Sequence, residues 1–318
     1  MKKLAMVAAA ILVLIATATI VVSLGLVAEQ DKPSTSVPAT AERHPAAPSA
    51  IEGVYVLPDD GAAPLIEELD AARSSISIEI YLLTDDDVLA ALFRARDRGV
   101  TIRVLLEQDP YGGSNQQPQI FDTLTEGGIQ VRWNSAAQRF SHIKLIVVDQ
   151  RVALIMNLNL TYSALTKNRE LAVITTDPEL VDHASRIFEN DWQGKDGKIP
   201  GPLTLSPDTS RSTIRGLIDS AQSTLEIYAE VITDRDFISA IEAAIDRGVQ
   251  VRIIMTQSYG QNMLDEPVGE LVRYGAELHT LASPYIHAKL IMVDGKQAFI
   301  GSQNYTSTSL DQNREVGV

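Results

Sequence analysis

Between residues 62 and 73, Leu65, Ile66, Leu69 and Ala72 recur at helical spacing, which predicts an amphipathic helix. Ile76–Leu83 and Thr101–Leu106 are β-rich runs bounded by turn signals, with a second helical stretch near 87–98 between them. Gly99 and Gly248 each follow an arginine where a helix is due to stop, and glycine takes the left-handed backbone of a helix C-terminus without steric cost. Leu145–Val148 and Leu290–Val293 are continuous apolar runs, the mark of strands buried on both faces. Helices alternating with such strands predict an α/β fold with helices on both faces of a sheet.

The pattern then repeats. Residues 72–85 (ARSSISIEIYLLTD) parallel residues 221–234 (AQSTLEIYAEVITD), 149 positions later. The run Asp97-Arg98-Gly99-Val100 returns as Asp246-Arg247-Gly248-Val249 at the same offset. Further on, His142, Lys144, Asp149, Asn159, Thr161, Asn168, Arg169 and Glu170 all recur 145 positions later. Agreement at one spacing over so many polar positions identifies a duplicated unit. The expectation is two tandem homologous α/β/α units with mixed, mostly buried sheets, spanning residues 51–200 and 201–318 and packed about a pseudo-two-fold axis.

Residues before 51 read differently. Lys2 and Lys3 precede Leu4–Val27, which holds no charge over 24 residues, longer than the roughly 30 Å hydrocarbon core requires. Residues 1–28 therefore predict a membrane anchor, or a signal segment cleaved near Ala28. Residues 29–50, with prolines at 33, 38, 45 and 48, predict a semi-extended linker. The positive start sends the remainder across the membrane, so the expected location is the extracytoplasmic face, tethered by the N-terminal helix.

The net charge of −14 argues against general nucleic-acid binding, which depends on Lys and Arg neutralising phosphates. With no cysteine in the chain, disulfides, thiolate nucleophiles and cysteine-based zinc sites are excluded. No metal-ligand cluster is evident, and neither metal nor cofactor is expected.

Two histidines carry the candidate chemistry. Residues two apart on a strand point the same way, so His142 projects with Lys144 and His287 with Lys289. Asp149 and Asp294 lie seven positions past their histidines, an odd offset that makes them local structural partners. A phosphodiester offers an anionic group to hold, a leaving oxygen to protonate and a phosphorus to attack. Two lysines suit the first task. One histidine suits attack, and the other suits proton transfer. Two halves meeting face to face would bring both pairs to one cleft.

His142-x-Lys144-x4-Asp149 and His287-x-Lys289-x4-Asp294 resemble the paired HxK-D motifs of the phospholipase D superfamily, and Gly301-Ser302-Gln303-Asn304 resembles that family's GSxN ending. The resemblance runs from about Ile51 to the end. It implies a covalent phosphohistidine on His142, with His287 as acid and base. It also implies phosphoryl binding by Lys144, Lys289, Asn159, Asn304 and Ser302, and orientation of the histidine rings by Glu170 and Glu315. The first copy departs, reading Met156-Asn157-Leu158-Asn159. There the Asn157 amide stands in for the missing hydroxyl donor. A second departure is that only three residues follow Glu315, which predicts a second half short of a strand and a closing helix.

The motifs define the chemistry and leave the substrate open. A tethered domain meets lipid headgroups at high effective concentration, so the leading expectation is a metal-independent phosphodiesterase acting on phospholipid, by hydrolysis or phosphatidyl transfer. An exported endonuclease is the alternative, and a catalytically degenerate binding relative a third. His44 and His183 are expected to be solvated, and His279 has no counterpart in the first half. Arg169 and Arg314 are expected to pair with nearby carboxylates.

Overall fold

The β-branched runs form strands, and the helical stretches cover them. A computed structural model describes residues 51–111, 116–135, 138–195, 197–257 and 266–318. In the first half, strands β1 (Ile51–Leu57), β2 (Ser75–Ile80), β3 (Thr101–Leu106), β4 (Gln130–Trp133), β5 (Lys144–Val148), β6 (Val152–Met156) and β7 (Asn168–Thr175) lie in the order β1-β7-β6-β5-β2-β3-β4. Strands β2, β3 and β4 run parallel to one another, and the remaining pairs are antiparallel, so the sheet is mixed.

The second half repeats this arrangement. Strands β9 (Thr224–Tyr228), β10 (Gln250–Thr256), β11 (Glu277–Leu281), β13 (Leu290–Val293) and β14 (Gln297–Ile300) form a sheet in the order β11-β10-β9-β13-β14. Strand β15 (Glu315–Gly317) pairs with β8 (Thr204–Ser206). Two backbone hydrogen bonds between Ile300 and Val318, each 2.9 Å, tie β15 to the edge at β14. The short ending expected after Glu315 thus still supplies the counterpart of β7.

Capping follows from sequence. Helix α1 is Ala63–Ala71, and α2 (Asp86–Asp97) starts on Asp85, whose carboxylate accepts from the backbone N–H groups of Asp87 and Val88. Asp234 caps the equivalent helix Arg235–Asp246 by accepting from Phe237 N. Gly99 and Gly248 end these helices at φ 88° and 86°, a region where a side chain is strained. The first strand run stops at Ile80, three residues before the expected Leu83. Beyond it the backbone turns to hydrogen-bond Leu160 instead of a neighbouring strand.

Each half has its own apolar core, and smaller clusters join them. Leu171 and Val173 of the first half pack with Ala288 and Ile300 of the second, flanked by Val56, Tyr228 and Leu290. The halves also trade chain. Strand β12 (Tyr285–Ile286) pairs parallel with Asn168 and Arg169 at the start of β7, and Ser141 bridges Arg314 in the matching place. These reciprocal exchanges give the pseudo-two-fold arrangement of two α/β/α units.

The expected N-terminal membrane helix, and with it the exported and tethered location, is corrected. Among the described residues no helix is long and apolar enough to cross a membrane. The longest, Pro178–Trp192, has 15 residues, about 22 Å at the α-helical rise against a hydrocarbon core of about 30 Å. Residues 1–50, on which the anchor and linker expectations rested, lie outside the described residues.

His183 is a second correction. It sits in that same helix but is fully buried. Its Nε2 donates to the Ile199 carbonyl at 2.7 Å and its Nδ1 accepts from Leu203 N at 3.0 Å. The helix turns this polar residue toward the segment leading into β8, where both ring nitrogens find backbone partners.

Candidate active site

The segments that cross between the halves place both histidines. His142 N donates to Arg314 O at 2.8 Å, and His287 N donates to Arg169 O at 3.1 Å. Each histidine is thereby seated on the partner half one residue before the glutamate that holds its ring. The Nδ1 of His142 lies 2.8 Å from Glu315 Oε2, and the Nδ1 of His287 lies 2.8 Å from Glu170 Oε2. A carboxylate accepts only, so each Nδ1 carries a proton and each ring is left with Nε2 for chemistry. Both rings keep slight exposure (12%), while both glutamates have none.

The supports under the glutamates differ. Glu315 Oε1 accepts from Ser309 Oγ at 2.5 Å and Asn313 Nδ2 at 3.0 Å. Glu170 Oε1 has Asn168 Nδ2 at 3.4 Å, and Ala164 stands where the second half has Ser309. Burial works to raise the Glu315 carboxyl, but its contacts with His142, Lys144 and Ser302 outweigh it and hold the group below the usual range. Burial pushes His142 down to about 4, helped by Lys144 and Lys289 and opposed by Glu315.

Both lysines are wholly buried. Lys144 Nζ donates to His142 O at 2.7 Å, and Lys289 Nζ donates to His287 O at 2.7 Å. Burial lowers Lys144 to about 7, with Lys289 also lowering it and Glu315, Glu170 and Glu230 opposing. Groups from both halves therefore feel one another, and the structure brings the two His-Lys pairs and both glutamates into one cluster.

The remaining surroundings of the two lysines differ. Lys144 lies over the Tyr81 ring, Nζ 5.0 Å from the centroid, and that ring meets His142 edge-on at 4.6 Å. Lys289 Nζ instead donates to Glu230 Oε2 at 2.8 Å. Neither Glu230 nor Tyr81 belongs to the HxK-D motifs. The 149-residue repeat offset aligns them and is the signal that points to both.

The other expected residues divide into two groups. Asn157 is fully buried and its Oδ1 accepts from Leu171 N at 2.7 Å. Ser302 does the same for Val316 N at 3.1 Å, so the asparagine replaces the serine without losing the strand contact. Asn159 and Asn304 each leave a buried Oδ1 without a partner among the described residues. Asp149 and Asp294 stand away from the cluster. Asp149 accepts from the N–H groups of Arg73, Ser74 and Ser75 at 2.7–2.9 Å, and Asp294 serves Gln222, Ser223 and Thr224 in the same way. Arg169 pairs with Asp59 at 2.7 Å and Arg314 with Asp191 at 2.8 Å. His279 is exposed, 3.8 Å from Glu277.

A reciprocal pair of carboxylate-held histidines, each beside a buried lysine, defines the class. The family model described as "Cardiolipin synthase, PLD-like domain" matches residues 65–192 and 214–318, and the chain belongs to this phospholipase D-like family. Cardiolipin synthase B of Salmonella typhi is 23% identical over 305 residues, covering 80% of this chain and 72% of that protein. Among solved structures, phosphatidylserine synthase of Haemophilus influenzae Rd KW20 superposes with a TM-score of 0.65 at 14% identity, over 85% of this chain and 82% of its own. Polyphosphate kinase of Porphyromonas gingivalis gives 0.66 at 16% identity, over 90% and 48%. These two likenesses establish the fold.

Proposed function

We propose that this protein is a phosphodiesterase of the phospholipase D type that acts on phospholipid headgroups, by hydrolysis or by phosphatidyl transfer. The observation that carries the reading is the crossed pair His142–Glu315 and His287–Glu170, which holds both rings by Nδ1 next to two buried lysines. The phospholipid assignment draws on relatives such as the Salmonella typhi enzyme named cardiolipin synthase B.

In this reading His142 Nε2 attacks phosphorus. The N–P bond forms, the P–O bond to the leaving group breaks, and His287 gives its Nε2 proton to the departing oxygen. Water or an alcohol then yields a proton to His287 and attacks phosphorus, and the N–P bond breaks. The division of labour suits the surroundings. Burial keeps His142 neutral, as a nucleophile requires, and before substrate enters Glu230 Oε2 lies 3.5 Å from His287 Nε2. Lys144 and Lys289 hold the non-bridging oxygens. In this reading the amide N–H groups of Asn159 and Asn304 donate to the same group, and no metal takes part.

The test follows headgroup release from mixed phosphatidylcholine and phosphatidylglycerol vesicles in the presence of EDTA. Release is expected from the wild type and lost in H142A and H287A, with an acid-labile phosphoryl label trapped on the wild-type protein. Cleavage of single-stranded DNA in place of lipid, or lipid turnover that survives H142A, would overturn the reading.

A further inference from the structure

The two halves match closely around the histidines, and one mismatch falls inside the site. At the 149-residue offset, Tyr81 corresponds to Glu230. Tyr81 gives Lys144 an aromatic face. Glu230 gives Lys289 a full counter-charge, with Oε2 2.8 Å from Nζ and 3.5 Å from His287 Nε2. Its other oxygen accepts from the Tyr285 hydroxyl at 2.9 Å. The side chain keeps 20% exposure, against none for Lys289.

A phosphoryl oxygen gripped by Lys289 beside His287 Nε2 needs the place that Glu230 Oε2 holds. The geometry points to Glu230 as a built-in counter-anion of the phosphoryl pocket, which a singly charged phosphodiester displaces and which disfavours doubly charged phosphate. This inference rests on the reading of Lys144 and Lys289 as phosphoryl-binding groups.

The charge inventory supports it. Glu315, Glu170 and Glu230 all act on Lys144, and Glu230 also pairs with Lys289, three carboxylates against two ammonium groups. Burial resists ionisation of Glu230, but Lys289, His287 and the Tyr285 hydroxyl outweigh it and hold the carboxyl well below its usual range. Lys144, lowered to about 7, carries only part of its charge at neutral pH. Coulomb repulsion grows in proportion to the incoming charge. A diester brings one negative charge, whereas a monoester brings about 1.5 to 2 at pH 7. The pocket thus admits the substrate class and sheds a monoester product, with Glu230 returning to Lys289 as it leaves.

Phenyl phosphate and diphenyl phosphate serve as monoester and diester probes, titrated calorimetrically into the full-length chain at pH 7. E230Q is expected to bind phenyl phosphate about tenfold tighter than the wild type and to gain no more than about threefold for the diester. E230Y, which copies Tyr81, is expected to move in the same direction. With a soluble diester substrate, inhibition by inorganic phosphate is expected to strengthen in both variants. Equal phenyl phosphate affinity in wild type and both variants, or equal gains for the two probes, would overturn the inference alone. Weaker binding in the variants would make Glu230 an organiser of Lys289 and also overturn it. If neither probe bound to any form, the reading of the lysines would fall with it, whereas diester turnover in the wild type would uphold that reading independently.

Discussion

His142 and Glu315 are 173 positions apart in the chain, and 2.8 Å separates Nδ1 from Oε2. His287 and Glu170, 117 positions apart, make the same contact in the opposite sense. Each half therefore supplies a histidine that only the other half can orient. The glutamates hold a proton on Nδ1 and leave Nε2 of each ring for chemistry.

Replacing Glu315 with glutamine keeps the size and removes the charge. E315Q frees the ring to turn and to change tautomer, so kcat is expected to fall by about 10²-fold or more. E170Q is expected to cost a similar factor. The double variant is expected to lose less than the product of the two, because the histidines act as a unit. Single-turnover measurements on a chromogenic diester decide this, and near-normal rates in both would remove the orienting role.

The pH profile of kcat/KM is expected to be bell-shaped and centred on the acid side of neutrality. His142 loses its proton above about 4 and becomes nucleophilic. Lys144 keeps its charge below about 7 and loses its grip on phosphate above that. The rate constant should climb through the first value and fall through the second. A soluble diester assayed from pH 3.5 to 9 gives the profile, and an alkaline optimum would contradict it.

Asp149 stabilises the fold from outside the site. Burial opposes its ionisation, but the N–H groups of Ser75, Ser74 and Arg73 and the Ser74 hydroxyl outweigh it and lower the group to about 2. A depressed carboxyl contributes stability that is present above its unfolded value of about 3.9 and lost as pH falls through about 2. Solvent screening at this partly exposed group trims the contribution to about 2 kcal/mol. D149A is expected to lower Tm by about 5 °C near neutral pH, with the specific activity of folded protein unchanged. Calorimetry at several pH values checks both statements.

Glu79 behaves in the opposite way. It is fully buried, its Oε1 accepts from Ser141 Oγ at 2.8 Å, and its Oε2 has no partner among the described residues. Burial, reinforced by Asp191, raises it well above the usual range. The folded chain then holds a proton that the unfolded chain releases above its ordinary value, so this group weakens the fold as pH rises. E79Q removes that dependence. Its Tm is expected to exceed that of the wild type by more at pH 8 than at pH 5, and an equal difference at both would refute the assignment.

Much of the fold is legible in the chain. Runs such as Leu145–Val148 and Leu290–Val293 became strands β5, buried throughout, and β13, fully buried only at alternate positions, and the glycine stops and aspartate caps fell where local geometry requires them. The odd spacing that set Asp149 and Asp294 apart from the histidines matches their contacts with the loop before β2 and β9. What stayed illegible is non-local. Nothing near Ser141 or Tyr285 announces that these segments cross to the other half, and nothing in the helix around His183 announces that its ring faces Ile199 and Leu203.

By itself the sequence determined the element types, the duplication and the two His-Lys pairs, because hydrophobic period, backbone stops and repeat spacing are properties of neighbouring residues and equal offsets. Tertiary structure alone decided which glutamate serves which histidine, and that Glu230 faces Lys289 where Tyr81 faces Lys144. Those outcomes depend on how two finished sheets dock, since a contact of 2.8 Å between residues more than a hundred positions apart leaves no trace in local spacing.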